Sequence, residues 1–186
     1  MTWFKTRPHA PRKTEGEGTP AAVLVPLVLR PEGVTVLLTQ RTAHLAHHPG
    51  QISFPGGRFE EADGGDAIVC ALRETQEEIG LAHNRVTVLG CLPERPSRTG
   101  FRVTPVIGLV EPPFDLALDD FEVAEAFEVP MEFLLDAGNR HLQRATHEGR
   151  ERSFWSIPWE GRNIWGLTAA ILVSLADELA TCAVAR

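Results

Sequence analysis

Cysteine is scarce: Cys70, Cys91 and Cys182 are the only three in 186 residues, and their spacing offers neither a disulfide framework nor a zinc site. Their odd number, with no recognisable signal peptide, points to free thiols in a reducing compartment, and the expected location is the cytoplasm. The basic N-terminus has no apolar stretch leading to a cleavage site, and no run approaches the roughly 20 apolar residues of a membrane span. Positive charge is also in short supply. A formal net charge of −7 leaves no basic stripe for nucleic acid. An anionic small molecule must therefore be received locally, by a metal and a few arginines. What the chain does have is 43% hydrophobic residues, enough for one globular domain with its own core. Residues 1 to 20, with their Pro, Lys and Arg, are expected to form a flexible arm, and 21 to 186 a single domain.

The densest cluster of chemistry runs from Gly56 to Leu81, where a glycine-rich loop feeds a helix. At about 100° per residue, Ile68, Leu72, Thr75 and Ile79 share one narrow stripe, and Glu74, Glu77 and Glu78 share the far side. Asp66 can cap the amino end, and Gly80 can close the carboxyl end in a left-handed conformation. Like charges three and four residues apart cost roughly 0.2–0.5 kcal/mol per pair unless a cation intervenes. Arg73, four residues before Glu77, relieves part of this. Mg²⁺ or Mn²⁺ would relieve the rest, because hard cations take oxygen ligands and keep positions open for water and phosphate. Acidic helix faces are ordinarily just solvated, and the adjoining glycine loop is what favours a metal here. Cys70 also lies on the carboxylate side, where packing of a small residue explains it.

The remaining elements follow from apolar runs and turn residues. Ala21 to Leu29 and Val34 to Thr39 flank Pro31-Glu32-Gly33 as two strands, and Gln51 to Phe54 is a short strand leading into the glycine loop. Arg85 to Leu92 and Arg102 to Val110 are expected strands around the turn-rich stretch Pro93 to Gly100. Pro112 to Asp120 is expected as loop, Glu122 to Glu128 as strand, and Met131 to Leu135 as a helical turn. His141 to Thr146 and Ser153 to Ile157 pair around Glu148-Gly149, and Leu167 to Ala180 forms a packing helix. Mixed strands with two main helices imply an α/β/α sandwich, with the topology left open.

At Arg73, Glu74, Glu77, Glu78, Gly80 and Leu81 the chain resembles the second half of the Nudix hydrolase box, with Thr75 at a hydrophobic position. The first half is out of register: counting forward from Gly57 reaches Asp63 where the box has Glu, and the loop is two residues too long. The longer, Asp-containing spacer is similar to that of the Nudix branch that cleaves coenzyme A. So is the upstream segment, with Leu37-Leu38-Thr39, Arg41, Gly50-Gln51 and Phe54-Pro55-Gly56-Gly57. Thr42 and Ala46 depart from that second signature.

The resemblance implies a Nudix-type α/β/α sandwich with a mixed central sheet. It also implies metal-dependent hydrolysis of the pyrophosphate of coenzyme A or its thioesters, giving 4′-phosphopantetheine and adenosine 3′,5′-bisphosphate, and a possible homodimer. Rival readings are a Nudix hydrolase of ADP-ribose, NADH or a nucleoside triphosphate, and a silent nucleotide-sensing module. Expected metal ligands are Glu74, Glu77, Glu78 and the Gly56 carbonyl; Glu74 is alternatively the group that orients the attacking water. Arg73 positions Glu77, and Glu122, favoured over Glu125, is the expected general base. Arg41, His48, Gln51 and Gly57 are expected at the substrate, with Arg41 and the Arg95 to Arg102 region as candidate phosphate contacts. His44, His47 and His48 lack the partners of a zinc site. Trp155, Trp159 and Trp165 are expected in the C-terminal core.

Overall fold

The computed structural model describes residues 18–45, 49–147 and 150–184. The elements in chain order are β1 (Thr19–Arg30), β2 (Gly33–Arg41), β3 (Ile52–Ser53), β4 (Gly56–Arg58), α1 (Ala67–Ile79), β5 (Val86–Cys91), β6 (Arg95–Pro96), β7 (Phe101–Val110), β8 (Val123–Pro130), α2 (Met131–Leu135), β9 (His141–His147), β10 (Arg150–Trp159), β11 (Arg162–Trp165) and α3 (Gly166–Val184). Strands β1 to β8 make one mixed eight-stranded sheet, and β9 to β11 make a separate antiparallel sheet.

Strand β1 is the axis of the larger sheet. It runs parallel to β7 along its length, and its other edge changes partner midway. Ala21, Ala22 and Val23 pair with Arg58, Gly57 and Gly56 of β4, whereas Leu27 to Arg30 pair with β2. Pro26, which has no N–H to leave unpaired, stands in the interval between the two partners. The glycine pair and the end of β2 with β3 therefore flank one opening in the sheet.

Both faces of β1 are buried, as its near-continuous apolar sequence requires. Alternation sorts the side chains cleanly. Ala22, Leu24 and Val28 pack with Cys70, Ala71 and Ile79 of α1. Val25 and Leu27 pack on the other face with Ala169, Ile171, Leu172 and Leu175 of α3. The result is the expected three-layer α/β/α arrangement. Among the described residues no helix is long and apolar enough to cross a membrane.

Several expected boundaries move. Thr19 and Pro20 already belong to β1, paired with Phe101 and Arg102, so the domain starts before residue 21; residues 1 to 17 lie outside the described part. Gly56 to Arg58 is a strand, not only a loop, and Arg95–Pro96 pairs with β7 inside the stretch read as turn-rich. Glu122 sits in the turn just before β8, and Gln51 just before β3. The expected C-terminal hairpin gains a third strand, β11, and Glu148 and Gly149 at its turn lie outside the described residues.

Candidate active site

Helix α1 begins and ends where its capping residues require. The Asp66 carboxylate accepts the Ile68 N–H at 2.8 Å, and Gly80 adopts φ 70°. A side chain on Gly80 would also strike Ala117, so both conformation and space demand glycine there. Thr75, at the position where the family has a hydrophobic residue, is fully buried and satisfies its hydroxyl on the Ala71 carbonyl at 2.6 Å.

The far side of the helix faces water only in part: Glu77 is exposed, but Glu74 and Glu78 are not. Cys70 is fully buried and Glu78 is only 6% exposed, because β4 passes across this side of α1. Its glycines make the approach possible. The Glu74 carboxyl group occupies the space a Gly57 side chain would need. Gly56, at φ 153°, has no room for a side chain against Ala22 and Val23. The Gly56 N–H donates to Glu78 Oε2 at 3.1 Å, which ties the glycine pair to the helix. The Cys70 thiol points at the Arg58 carbonyl at 3.5 Å, and burial pushes it up to about 12, so it is a packed thiol and not a nucleophile.

Arg73 organises the helix face. Its Nε and Nη2 grip Asp63 at 2.9 and 3.0 Å, Nη1 reaches Glu77 at 2.9 Å, and Nη2 lies 3.1 Å from Glu74. Asp63 is buried in a 3₁₀ turn (Glu61–Asp63) and also accepts the Glu60 N–H at 2.7 Å. The hydrogen bonds from Arg73 hold its carboxyl below the usual carboxylate range. Gly64 and Gly65, at φ 60° and 78°, turn the chain between Asp63 and the helix cap. Asp63 was not among the expected site residues. Its position six residues after Gly57, where the family spacing has Glu, was the available signal.

Arg41, near the end of β2, stands 3.7 Å from both Glu78 and Glu122. Its backbone N–H bonds the Gln51 carbonyl at 2.9 Å, which brings Gln51 to the same edge. A chain of contacts thus links Gln51, Arg41, Glu122, Glu78 and Gly56, and Arg73 with Glu74 and Glu77 continues along the same side of α1, where Glu74 fills the space above Gly57. His48 and His47 lie outside the described residues. Glu125 is drawn away by Arg162, at 2.6 Å. Two of the candidate phosphate contacts beyond β5 are engaged elsewhere: Arg95 bonds Ser174 of α3 at 2.8 Å, and Arg102 is buried beside Glu94 at 3.4 Å. Trp159 packs on Phe133 with ring centroids 4.5 Å apart, and Trp165 against Phe154 at 5.8 Å, in the C-terminal layers as expected.

The donor set suits a divalent cation. Glu78 is pushed up to about 8, chiefly by burial, with Glu122 and Glu74 adding repulsion and Arg41 and the Gly56 N–H offsetting part of it. Burial also raises Glu74. Carboxylates crowded together, two of them largely withdrawn from water and all of them hard oxygen donors, are what a cation such as Mg²⁺ neutralises. Among the described residues no three carboxylate, histidine or cysteine side chains yet close around a single point, since Glu77 and Glu74 are turned onto Arg73.

A compact mixed sheet between two helices, with a glycine strand pressed on an acidic helix, is the architecture of a pyrophosphate-cleaving hydrolase, and the NUDIX domain family matches residues 18–148. The chain belongs to the Nudix hydrolases, enzymes that generally use divalent metal ions such as Mg²⁺ or Mn²⁺. It is 39% identical over 173 residues to the uncharacterized Nudix hydrolase NudL of Escherichia coli, covering 93% of this chain and 88% of that one. The NudL of Salmonella dublin is 41% identical over the same span and coverage. In fold the chain is similar to the Nudix hydrolase RenU of M. smegmatis, with TM-score 0.53, 23% identity, and coverage of 64% of this chain and 81% of that chain. It is similar also to the Ap4A hydrolase of C. elegans, with TM-score 0.52, 24% identity, and coverage of 60% and 80%.

Proposed function

We propose that this enzyme hydrolyses the pyrophosphate bond of coenzyme A or its thioesters, releasing 4′-phosphopantetheine and adenosine 3′,5′-bisphosphate. The observation that carries the substrate is the upstream segment from Leu37 to Gln51. Its Arg41 stands 3.7 Å from Glu78 of the box, and the Gln51 carbonyl is tied to the Arg41 N–H, which supports the reading that the upstream segment and the box serve one ligand.

Glu74, Glu77, Glu78 and the Gly56 carbonyl would hold Mg²⁺ or Mn²⁺. When bound, such an ion neutralises phosphate oxygens and acidifies water. The protein's own residues do the rest. Arg73, fixed by Asp63, sets the direction of Glu77 and Glu74. Gly57 leaves room for the Glu74 carboxylate and for close approach of a diphosphate. Glu122, partly exposed in its turn and within reach of Arg41, accepts the proton of the attacking water. Neither Arg41 ion pair closes to hydrogen-bond distance, which leaves the guanidinium fork available for a phosphate.

The test is to incubate the purified protein with Mg²⁺ or Mn²⁺ and, separately, coenzyme A, ADP-ribose, NADH and nucleoside triphosphates, resolving products by chromatography beside a Glu78→Gln control. Efficient release of adenosine 3′,5′-bisphosphate from coenzyme A, absent in the control, is the expected result. Preferential cleavage of ADP-ribose or NADH would keep the Nudix chemistry and reject the substrate.

A further inference from the structure

Phe121 is the most exposed large apolar residue among those described, at 66%, and it immediately precedes Glu122. Its turn is fastened from every side. The Asp119 carboxylate accepts the Phe121 N–H at 2.9 Å, and the Asp119 carbonyl accepts the N–H groups of Glu122 and Val123 at 3.0 and 2.8 Å. The Asp119 N–H in turn bonds the Glu78 carbonyl at 2.9 Å, and the Thr42 hydroxyl donates to the Phe121 carbonyl at 2.7 Å. An aromatic ring is thus held in water on a turn anchored to both α1 and the end of β2. Beside it stands the exposed ring of His44, with centroids 4.9 Å apart and planes inclined at 58°.

An exposed Phe121 ring on a hydrogen-bonded turn, joined by the exposed His44 ring from the loop after β2 and followed in sequence by Glu122, which faces the loosely paired Arg41, has the layout of a nucleotide subsite. A flat base would find a π surface there, while its phosphates would be directed toward Arg41, which stands 3.7 Å from Glu122, the residue after Phe121. The groove of about 440 Å³ between β10 and α3, which also offers an aromatic and an arginine in Trp155 and Arg95, is a poorer match. Arg95 is there committed to Ser174, and Asp177 and Glu178 would repel a phosphate.

We propose that Phe121, with His44 beside it, forms a stacking platform for the base of the substrate, and that Phe121 favours a base-bearing phosphate ligand over one without a base. This rests on the active-site reading above, though not on coenzyme A as the particular substrate. A platform of this kind acts on binding of the base and not on the phosphate chemistry.

The experiment is an NMR titration of the full-length protein with AMP and, separately, with ribose 5-phosphate, which differ only in the base. Adenine ring protons should shift upfield on binding to the wild type. Phe121→Ala should weaken AMP by at least about fivefold and leave ribose 5-phosphate unchanged, as loss of one base-stacking contact predicts. Phe121→Tyr should bind AMP like the wild type, and Phe121→Leu should behave like Phe121→Ala. Retention of AMP affinity by Phe121→Ala or Phe121→Leu, or equal weakening of both ligands, would overturn the proposal. If coenzyme A proves not to be cleaved but the AMP selectivity and its dependence on Phe121 persist, the platform stands and only the substrate assignment falls.

Discussion

Helices α1 and α3 cover opposite faces of the same sheet, yet they are built on different physics. α3 contributes Ala169, Ile171, Leu172 and Leu175 to a dry core, and near its start the Thr168 hydroxyl fastens it to the Ile52 carbonyl at 3.0 Å. α1 buries apolar residues too, but it also takes Glu78 and part of Glu74 out of water against the backbone of β4. The first arrangement maximises stability; the second gives some of it up. Burying a carboxylate without a full counter-charge is unfavourable, and such groups persist where a ligand completes them. The contrast locates function on α1 and support on α3.

Substitutions should separate the two helices. The largest effect belongs to Glu78→Gln, which should lower turnover by about 10²–10³-fold while leaving the metal-free fold at least as stable, because the neutral amide escapes the cost of burial. Steady-state kinetics and thermal melts in a chelator check both halves. Leu172→Ala on α3 should do the opposite, costing about 3 kcal/mol of stability with turnover per folded molecule unchanged; urea unfolding beside the same assay would show it. Gly57→Ala should follow, with activity down about 10- to 100-fold as the new methyl group displaces Glu74, and with metal affinity falling alongside it.

Asp63→Asn is the smallest of the set, a loss of about 2 kcal/mol as Arg73 exchanges a carboxylate for an amide. Its pH dependence has a definite sign. Arg73 lowers the Asp63 pKa in the folded protein, so the pair's stabilisation is complete above the ordinary carboxylate value of 3.8 and is lost as pH falls through the lowered folded value. Wild type and variant should therefore differ in stability near neutrality and converge in strong acid. A constant difference across that range would mean that Asp63 acts through its shape alone.

How much of this was legible in the sequence follows from how local each interaction is. The limits of α1 were readable because Asp66 and Gly80 act on backbone groups within one turn. The carboxylate set was readable because helical spacing carries it. The burial of Glu78 was not, since a helical wheel shows which side packs on the sheet but not that Gly56 and Gly57 lay a strand across the other side. Among the strands of two to four residues, β3 was read within Gln51 to Phe54, whereas β4, β6 and β11 escaped because alternation needs more length to be visible. Side-chain destinations were the least legible: Arg95 finds Ser174, and Arg162 finds Glu125, across 79 and 37 residues of chain. Asp63 falls between these cases, marked by family spacing but explained only once Arg73 is seen to grip it.

The central claim is that the carboxylate side of α1 is packed to receive a cation and not merely to face solvent. Mn²⁺ titration followed by electron paramagnetic resonance tests it without reliance on any substrate. Saturable binding to the wild type that is strongly weakened in Glu78→Gln, with the variant still folded, is the predicted result. Equal Mn²⁺ affinity in the two proteins would contradict the account.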